Sequence, residues 1–564
     1  MHGRRALNLP AGLAMLRVYE RPWLKSDLAA GAALSAFLIP AGMAYAEAAG
    51  LPAVTGLYAS IIPLLVYAVF GPSRVLIVGP DSSLAPMIAA AVLPLAGKDP
   101  DQAVALAGVL ALLIGVLLLA GRVFRLGFVT GLLSKPIRVG YLNGIAVAIM
   151  LSQLPKLLGV PASGGSLVSS AAGTAQTVAQ GATNPVALAF GAGTIAVIVA
   201  CRFLPWKLPG VLIAVMAAVA LTAALELTSV LPTVGSLPVG LPKPALGGIG
   251  VEDVLALIGP AAGIALIAFA DTSVLSKSLA ARQNGQVDGN QEMGALGAAN
   301  VASGLFGGFP ISGSTSRTPI ALEAGAKSPL GGVVAAVLVV AFMLLAPGVT
   351  SFLPSSVLAG VVMVAAASIL DVKTFFRLLR MSRTEAALLA ATFLGVAFVG
   401  VLEGIVVAIG LSLIAFVIRA LDPYRTELGI VGDVPGYHDL NRHPEGQRVP
   451  GLVIARFDAP LFFANGAVFT EHIRTLVAKA PERVRWVIVA SEAITGLDTT
   501  ALHDLVGLDD ELAKRGISLV FAEIKGPIKD RLIRFGVSSR FGPDHFFPTI
   551  NNAVKYYRRS FDLE

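Results

Sequence analysis

The feature that most constrains this chain is a succession of long apolar segments separated by short polar or basic stretches. A helix needs about 20 apolar residues to cross the hydrocarbon core of a bilayer, and fewer where it is broken and packed within protein. Charged residues make up only 14% of the chain, against roughly 25% in soluble domains. We therefore predict an α-helical membrane protein with 14 transmembrane segments, two of them short. They lie near 29–50, 53–70, 82–96, 102–121, 139–158, 184–201, 208–227, 254–276, 289–307, 315–325, 328–346, 356–370, 385–401 and 404–420.

The positions of lysine and arginine test this count. If the N-terminus is cytoplasmic and the chain alternates sides, 19 of the 23 basic residues before residue 419 lie in cytoplasmic segments. Lys98, Lys156 and Lys243 fall outside and Arg317 falls within the membrane. This bias is the positive-inside rule. We therefore expect a multi-pass protein of the cell (inner) membrane with both termini in the cytoplasm. The net charge of +7 then reflects basic loops and does not indicate nucleic-acid binding.

The composition divides the chain into four regions. We expect a cytoplasmic N-terminal segment (1–28), a transmembrane domain (29–420), a polar linker rich in proline (421–448) and a cytoplasmic α/β domain (449–564). Strands alternating with helices predict a sheet covered by helices. The predicted strands are 451–457, 484–491 and 517–524, with an amphipathic helix over 500–516. We also interpret the serine-rich stretch 162–183 as an external loop.

Two halves of the membrane region carry matching interruptions. The short apolar segments both begin with small polar residues followed by proline, at 81–86 and 314–319. Pro40 precedes Asp81 by 41 residues, and Asp271 precedes Ser312 by 41 residues. Paired broken segments at corresponding positions are typical of transporters with inverted repeats. We therefore predict two inverted seven-segment repeats.

Small hydroxylated residues cluster at the beginning of both short segments. A helix that begins inside the membrane directs free backbone N–H groups and a positive dipole end at one point, which favours an anion. We predict a substrate site formed by these backbone amides together with the side chains of Ser82, Ser83, Ser314, Thr315 and Ser316. The alternative is that these residues only cap their helices.

Two charged residues lie deep in predicted spans, where an unpaired charge costs several kcal/mol. Arg317 would attract the anion, or would form a structural pair with Asp81 or Asp271. Asp271 interrupts an apolar helix and would bind a driving H⁺ or Na⁺, or would make a helix-packing hydrogen bond. Asp81 stands where a helix cap is expected, and capping is our preferred interpretation of it.

The sequence gives no indication of an enzyme. It has no nucleophile–histidine–acid arrangement, no glycine-rich phosphate loop and no metal-ligand spacing. The six histidines lie at position 2 or after residue 437, and the single cysteine, Cys201, excludes a disulfide within the chain. We therefore predict a protein without cofactor and without a metal site, apart from Na⁺ at Asp271.

Three segments, in this order, resemble a known family. They are AVTGLYASIIPLLVYAVFGPSR (53–74), DGNQEMGALGAANVASGLFGGFPISGSTSRT (288–318) and VPGLVIARFDAPLFFANGAVF (449–469). The first two resemble the SulP sulfate-permease family of anion transporters and exchangers. The third is similar to the opening of the STAS domain that SulP proteins carry. The resemblance covers almost the whole chain.

The resemblance implies a core (transport) domain and a gate domain, with the substrate site between broken helices three and ten. It implies that Asp271 couples ions, that Ser316 and Arg317 contact substrate, and that the protein is a homodimer. Many relatives line the site with a glutamine after Ile-Pro in helix one, where this chain has Ala41. STAS domains resemble anti-sigma-factor antagonists, which places a regulatory phosphorylation at Thr499; capping of the following helix is the alternative.

Together these observations predict a secondary active transporter of a small oxyanion, with sulfate as first candidate, coupled to H⁺ or Na⁺ by elevator-like alternating access. A bicarbonate or C4-dicarboxylate symporter or exchanger is an alternative within the same family. An uncoupled anion channel is an alternative from another class. A third is a chain that mainly signals, with a cytoplasmic partner on the STAS domain. The sequence does not name the anion, since all candidates present oxygen atoms to the same donors.

Overall fold

The computed structural model describes residues 10–97, 99–127, 135–161, 167–203, 209–238, 240, 249–282, 286–314, 317–432, 434–537 and 539–563. The chain divides into two compact units, Met1–Ser412 and Leu413–Glu564. The first is helical and the second contains a six-stranded sheet.

The helices of the first unit follow one another with short connections. They are α1 (Ala11–Leu16), α2 (Trp23–Ala48), α3 (Ala53–Phe70), α4 (Ala85–Ala96), α5 (Pro100–Val123), α6 (Lys135–Leu158), α7 (Leu167–Ala179), α8 (Pro185–Phe203), α9 (Gly210–Ala224), α10 (Val251–Arg282), α11 (Gly289–Leu305), α12 (Arg317–Glu323), α13 (Leu330–Leu345), α14 (Ser355–Ile369), α15 (Val372–Met381), α16 (Arg383–Leu394) and α17 (Val401–Leu421), which continues into the second unit.

The predicted apolar segments correspond to these helices. Each of the fourteen overlaps a helix, while α1, α7 and α15 are additional. Within the described ranges, six helical stretches are long and apolar enough to cross a membrane, and shorter apolar helices include α4, α8, α9 and α13. The helical membrane core is therefore as predicted, and the number of crossings stays a prediction.

Glycines allow two pairs of helices to approach backbone to backbone. A Cβ atom on Gly56 of α3 would lie 1.9 Å from the carbonyl oxygen of Gly42 in α2. A Cβ atom on Gly304 of α11 would lie 2.3 Å from the carbonyl oxygen of Gly108 in α5. Small residues at such contacts are typical of helices packed within membranes, where close van der Waals contact replaces the hydrophobic effect.

A buried carboxylate ties three further parts of this unit together. Glu292 of α11 accepts hydrogen bonds from the hydroxyls of Tyr67, Ser73 and Ser276. The Ser276 hydroxyl lies 2.6 Å and the Ser73 hydroxyl 3.1 Å from the same carboxylate oxygen. A buried charge is tolerated when several donors satisfy it. The cluster therefore holds α10 and α11 against the end of α3 and the loop that follows.

The two interruptions predicted from the sequence meet in a small antiparallel strand pair. β1 (Val78–Gly79) precedes α4, and β2 (Ser312–Gly313) precedes α12. Val78 pairs with Gly313 and Gly79 pairs with Ser312. Corresponding positions of the two halves are thus in direct contact.

The second unit is an α/β sandwich. Its strands are β3 (Arg425–Val431), β4 (Val434–Asp439), β5 (Leu452–Phe457), β6 (Trp486–Ala490), β7 (Ser518–Ala522) and β8 (Phe546–Phe547), in the order β4-β3-β5-β6-β7-β8. Strands β5 to β8 are parallel, and β3 is antiparallel to its neighbours. The helices are α18 (Gly466–Lys479), α19 (Thr499–Lys514), α20 (Gly526–Arg534) and α21 (Ile550–Ser560). Separate apolar clusters cover the two faces of the sheet.

The structure corrects the predicted linker over 421–448. β3 (Arg425–Val431) and β4 (Val434–Asp439) lie within it, and Thr426 of β3 pairs with Arg456 of β5. Proline and glycine indicated a loop, but β4 is an edge strand, where Pro435 and Gly436 remove no essential ladder bond. The sheet therefore begins about 25 residues before the predicted domain boundary at residue 449.

A second correction concerns the serine-rich stretch 162–183, predicted as a loop. Residues 167–179 form α7. The hydroxyls of Thr174 and Thr177 donate to carbonyl oxygens one turn earlier, at 2.8 and 2.9 Å. Threonine and serine can satisfy themselves in this way within a helix, so their presence does not exclude one.

Candidate functional site

The strand pair β1–β2 fixes the beginnings of α4 and α12 relative to each other. The amide of Ser314 donates to the carbonyl of Ile77 at 3.0 Å. The amide of Ile77 donates to the hydroxyl of Thr318 at 3.1 Å. The amide of Gly313 donates to the hydroxyl of Thr272 in α10 at 2.8 Å. These bonds join α10 and α12 to the chain that leads through β1 towards α4.

Side chains of α11 hold the chain leading into β2. The Asn300 amide group donates to the carbonyl of Ile311 at 3.1 Å, and its oxygen accepts from the amide of Ile311 at 2.9 Å. The hydroxyl of Ser303 donates to the carbonyl of Phe309 at 2.7 Å. Because the irregular backbone is buried, these bonds supply partners that water would otherwise provide.

Arg317, at the beginning of α12, is completely buried. Its Nε, Nη1 and Nη2 atoms have no hydrogen-bond partner among the described residues. Nη2 lies 3.8 Å from Oδ2 of Asp81, which is an ion pair but too long for a hydrogen bond. A guanidinium carries five N–H donors in a fixed planar arrangement, and burying them unsatisfied is costly. An oxyanion at this position would accept hydrogen bonds from these donors.

Backbone close to β1 makes room for this guanidinium. A Cβ atom on Gly79 would lie 2.7 Å from Nη1 of Arg317. Gly79 also has φ of +152°, a conformation that residues with a side chain rarely adopt. Glycine at this position therefore lets Arg317 lie directly against the first strand.

Asp81 both closes a turn and faces the arginine. Its Oδ1 accepts from the amide and the hydroxyl of Ser83, at 3.0 and 2.8 Å, before α4 begins at Ala85. Its Oδ2 is the oxygen near Arg317. Asp81 is therefore an ion-pair partner of Arg317. The predicted helix cap is not formed, because the N-cap of α4 is Leu84 and Asp81 closes a turn before it.

The predicted hydroxyl residues lie in the same region. Ser82, Ser83 and Ser314 are buried. The hydroxyl of Ser314 accepts from the amide of Arg317 at 3.3 Å, as in a helix cap. Thr315 and Ser316 lie outside the described residues. The structure thus brings together every described residue of the predicted hydroxyl cluster, while their role in binding stays a prediction.

Asp271 lies within α10, one residue before Thr272, and is half-buried. Its carboxyl interacts electrostatically with Asp81 and Arg138. The phenol of Tyr141 interacts with both carboxyls. The predicted coupling residue is therefore electrostatically linked to the carboxylate that accompanies Arg317.

Ala41 is buried in α2, directly after Pro40. Tyr45, one turn later on the same face of the helix, interacts electrostatically with Arg317. This face of α2 is therefore directed to the region of the arginine, and Ala41 offers no polar side chain there.

Two further residues of this region were not predicted as ligands. The hydroxyls of Ser273 and Ser312 are buried and have no hydrogen-bond partner in the described part of the chain. Ser312 pairs with Gly79 and Ser273 follows Thr272, so both belong to the elements joined at the strand pair. The spacing of 41 residues identified Ser312 as a repeat marker, but a single serine gave no further signal.

Thr499 begins α19 in the second unit and is exposed. Asp498 caps this helix, because its side chain accepts from the amide of Ala501 at 2.8 Å. Its other oxygen accepts from the amide of Phe463 at 2.7 Å. The capping geometry is present, and phosphorylation of Thr499 stays a prediction.

Comparison with known proteins agrees with this architecture. The model of the sulfate permease family matches residues 24–392, and that of the STAS domain matches residues 443–553. A probable sulfate transporter of Mycobacterium tuberculosis is 39% identical over 549 residues, covering 97% of this chain and 98% of that protein. A chloroplastic sulfate transporter of Arabidopsis thaliana, sulfate transporter 4.1, is 28% identical over 574 residues, covering 97% and 83%.

Solved structures share the fold. The murine anion transporter Slc26a9 in its inward-facing state superposes with a TM-score of 0.91 at 22% identity, covering 99% of this chain and 96% of that one. The transmembrane domain of the cyanobacterial bicarbonate transporter BicA gives 0.60 at 24% identity, covering 70% and 98%. The resemblance inferred from the three sequence segments is confirmed. The chain belongs to the sulfate permease family and carries a C-terminal STAS domain.

Proposed function

We propose that this protein transports a small oxyanion, in the first place sulfate, and that the anion binds at Arg317 between the beginnings of α4 and α12. The observation that carries this proposal is the buried guanidinium whose nitrogens have no hydrogen-bond partner among the described residues. A buried cation of this kind is costly unless a ligand completes its coordination. The names of the relatives favour sulfate over other anions.

The chemistry of the region fits an oxyanion. Oxyanions offer several acceptor oxygens, and a guanidinium binds two of them with parallel, charge-assisted hydrogen bonds. The hydroxyls of Ser312 and Ser273, which have no hydrogen-bond partner among the described residues, add neutral donors in the same region. Such donors bind without adding fixed positive charge, so they do not hold the anion too strongly for release.

Asp81 limits the affinity of this site. Its carboxylate, 3.8 Å from the guanidinium, offsets the positive charge and repels an incoming anion. A pair that is neutral overall binds an anion through geometry and hydrogen bonds more than through net attraction. This suits a transporter, which must release its substrate on the far side.

Coupling to a cation follows from Asp271. This carboxyl interacts with Asp81, so the two negative charges act together near the anion position. A proton or Na⁺ bound at Asp271 would remove one of them and so favour anion binding. Because such coupling is reciprocal, the anion would equally favour the cation. We infer symport on this basis, in a homodimer of the cell membrane that works by elevator-like alternating access with both termini in the cytoplasm.

The test is uptake of radiolabelled sulfate by liposomes that contain the purified protein. An inward pH gradient is imposed with and without Na⁺, in parallel with Asp271→Asn. Glu252→Gln, an exposed carboxylate near the beginning of the same helix, is the matched control. We expect gradient-driven uptake in the wild type and the control, and loss of the gradient dependence in Asp271→Asn.

Other outcomes separate the alternatives. If no gradient drives sulfate uptake, the sulfate assignment is wrong, and bicarbonate and C4-dicarboxylates become the substrates to test in the same liposomes. If flux follows the membrane voltage, needs no co-ion and is unchanged in Asp271→Asn, the protein is an uncoupled anion channel.

A further inference from the structure

The short helix α15 stands apart from the apolar helices on either side of it. α14 ends at Ile369, and Leu370 and Asp371 leave the helical conformation with ψ of 119° and 70°. Ser382 interrupts the helix again before α16, with φ of −156° and ψ of 108°. The ten residues between these breaks span about 15 Å at 1.5 Å per residue. This is half the length that an unbroken helix needs to cross a bilayer core, so α15 is too short to cross it alone.

The beginning of α15 is fixed to α6. The amide of Asp371 donates to Oδ1 of Asn143 at 2.7 Å, and the Asn143 amide group donates back to the Asp371 carbonyl at 3.4 Å. The Asp371 side chain caps α15 by accepting from the amide and hydroxyl of Thr374, at 3.0 and 2.6 Å. Thr374 is buried. The helix therefore has a defined orientation, with one side against the protein.

The remaining surface of α15 carries two adjoining arcs. Val372, Phe376 and Leu379, at helical spacing, are 52%, 59% and 45% exposed. Lys373, Arg377 and Arg380 have the same spacing one residue further on and are also exposed. At 100° per residue the basic arc lies directly beside the apolar arc.

A basic arc beside an exposed apolar arc is typical of a helix that lies in the plane of a membrane surface. In water the apolar arc would be unfavourable, and a nucleic acid would leave it uncovered. Additional positive charge is close by. Lys135 at the beginning of α6 and Arg377 both interact electrostatically with Asp371, and Arg383 begins α16.

We propose that α15 lies in the membrane interface and binds anionic phospholipid headgroups. The apolar arc enters the outer part of the acyl region, and Lys373, Arg377 and Arg380 contact lipid phosphate. The partner is the bilayer itself, enriched locally in lipids such as phosphatidylglycerol. This inference does not depend on which anion is transported.

The full-length protein in nanodiscs provides the test. Phe376→Trp introduces a fluorescent probe into the apolar arc, and the same chain without this change supplies the background from the three native tryptophans. The discs contain phosphatidylglycerol and phosphatidylcholine, with bromine on the acyl chains of one lipid or the other. Bromine quenches tryptophan only at close range. Val337→Trp, at an exposed position of α13, is the matched control.

We expect the probe at position 376 to be quenched, and more strongly by brominated phosphatidylglycerol. Each basic residue near an anionic membrane surface strengthens the attraction to it by a factor of about five. The preference should disappear when Lys373, Arg377 and Arg380 are all changed to glutamine. High salt should also reduce this lipid preference in the Phe376→Trp protein that keeps its three basic residues. This second measurement tests the proposal even if the triple variant does not fold.

The proposal is overturned in two ways. If neither brominated lipid quenches the probe, the apolar arc does not face the bilayer, and a protein partner or water covers it. If both lipids quench it equally and salt has no effect, the basic arc does not select anionic headgroups. The control at position 337 should be quenched equally by both lipids.

Discussion

Arg317 is a buried cation whose guanidinium has few partners among the described residues. Its guanidinium is fully buried, yet Asp81 lies at 3.8 Å and offers an ion pair without a hydrogen bond. A purely structural arginine would use several of its five donors, because each unsatisfied donor costs free energy. In the described part of the chain, none of the guanidinium nitrogens has such a partner.

Changing Arg317 should therefore separate the effects of charge and shape. Arg317→Gln removes both, and we expect sulfate uptake to be lost. Arg317→Lys keeps the charge but cannot bind two oxygens at once, so uptake should fall by about tenfold to hundredfold, corresponding to one or two charge-assisted hydrogen bonds. The measurement is initial uptake in liposomes against sulfate concentration.

Lys277→Gln, an exposed residue of α10, is the control for loss of a positive charge and should leave uptake unchanged. If Arg317→Gln transports at the wild-type rate, the anion does not bind this guanidinium, and the arginine serves only as the structural partner of Asp81.

Gly79 allows a second test of the same site without changing any charge. A methyl group in Gly79→Ala would lie 2.7 Å from Nη1 of Arg317 and would also strain a residue with φ of +152°. We expect uptake to fall at least tenfold because the guanidinium must move. Gly240→Ala is matched, since Gly240 has φ of +149° and no described atom near its Cβ position.

The two glycine variants are compared by uptake and by thermal unfolding in detergent. Backbone strain acts on both, and Gly79→Ala adds the close contact with buried Arg317, so it should lose at least as much stability as Gly240→Ala. A loss of uptake confined to Gly79→Ala points to the displaced arginine. Equal uptake in the two variants would show that the contact between Gly79 and Arg317 does not affect transport.

Much of this site could be predicted from the sequence, and the features that were missed depend on the folded conformation. Arg317, Asp81 and the serines were identifiable because polar residues are costly in an apolar span. The role of Gly79 was not identifiable, because a glycine among 60 reveals neither its φ angle nor the side chain opposite it. The unpaired hydroxyl of Ser312 is likewise visible only once its neighbours are placed.

At the scale of the elements, an ion pair joins helices α2 and α6, and the charge pattern singled out only its lysine. Lys156 appeared as an exception to the positive-inside distribution. In the structure its Nζ lies 2.9 Å from Oε2 of Glu47 at the end of α2. The side chains are 34% and 14% exposed, so the pair is partly shielded from water. Of the other exceptions, Lys98 and Lys243 lie outside the described residues.

Reversing this pair gives a prediction about how α2 and α6 are held together. Glu47→Lys or Lys156→Glu alone places like charges together and should destabilise the protein by about 1 kcal/mol, as for other partly exposed pairs. The double reversal should restore most of the loss. Thermal unfolding of the four proteins in detergent forms a double-mutant cycle. Additive effects of the two single changes would show that the ion pair contributes nothing.

The elements themselves were predicted to very different degrees. An apolar run of about 20 residues determines a helix almost by itself, because every backbone group must be satisfied within it. All fourteen predicted segments therefore overlap helices. β3 and β4 escaped notice because the strand pattern is short and β4 contains Pro435 and Gly436. α7 lacks a strong apolar signal, so its serines and threonines were taken for a loop.

At the scale of the whole molecule, the surfaces of the two units suit different solvents. The first has apolar helices that lipid can solvate, and the second has a twisted sheet with an apolar cluster on each face, as in soluble α/β domains. The change of composition after residue 420 predicted this division. The exact point at which the sheet begins could not be read from composition, because Arg425–Val431 pairs with a strand more than 20 residues away.

This pairing decides where the chain can be cut. A chain ending at Asp422 removes the entire sheet, so no strand is left without a partner. A chain ending at Asn441 keeps β3 and β4 but removes β5, the strand that pairs with Arg425, Thr426 and Glu427. Unpaired strand edges promote association between chains. We expect the shorter chain to be monodisperse in size-exclusion chromatography and the longer one to aggregate.

Sulfate uptake by the shorter chain in liposomes then defines what the STAS domain contributes. Every residue assigned to the anion site, from Ala41 to Arg317, lies in the first unit, so transport should persist with altered regulation at most. If the chain ending at Asp422 is monodisperse but inactive, the STAS domain is required for the transport cycle itself. If both truncated chains are equally monodisperse, β3 and β4 do not need β5, and the boundary of the folded unit lies further along the chain than the sheet indicates.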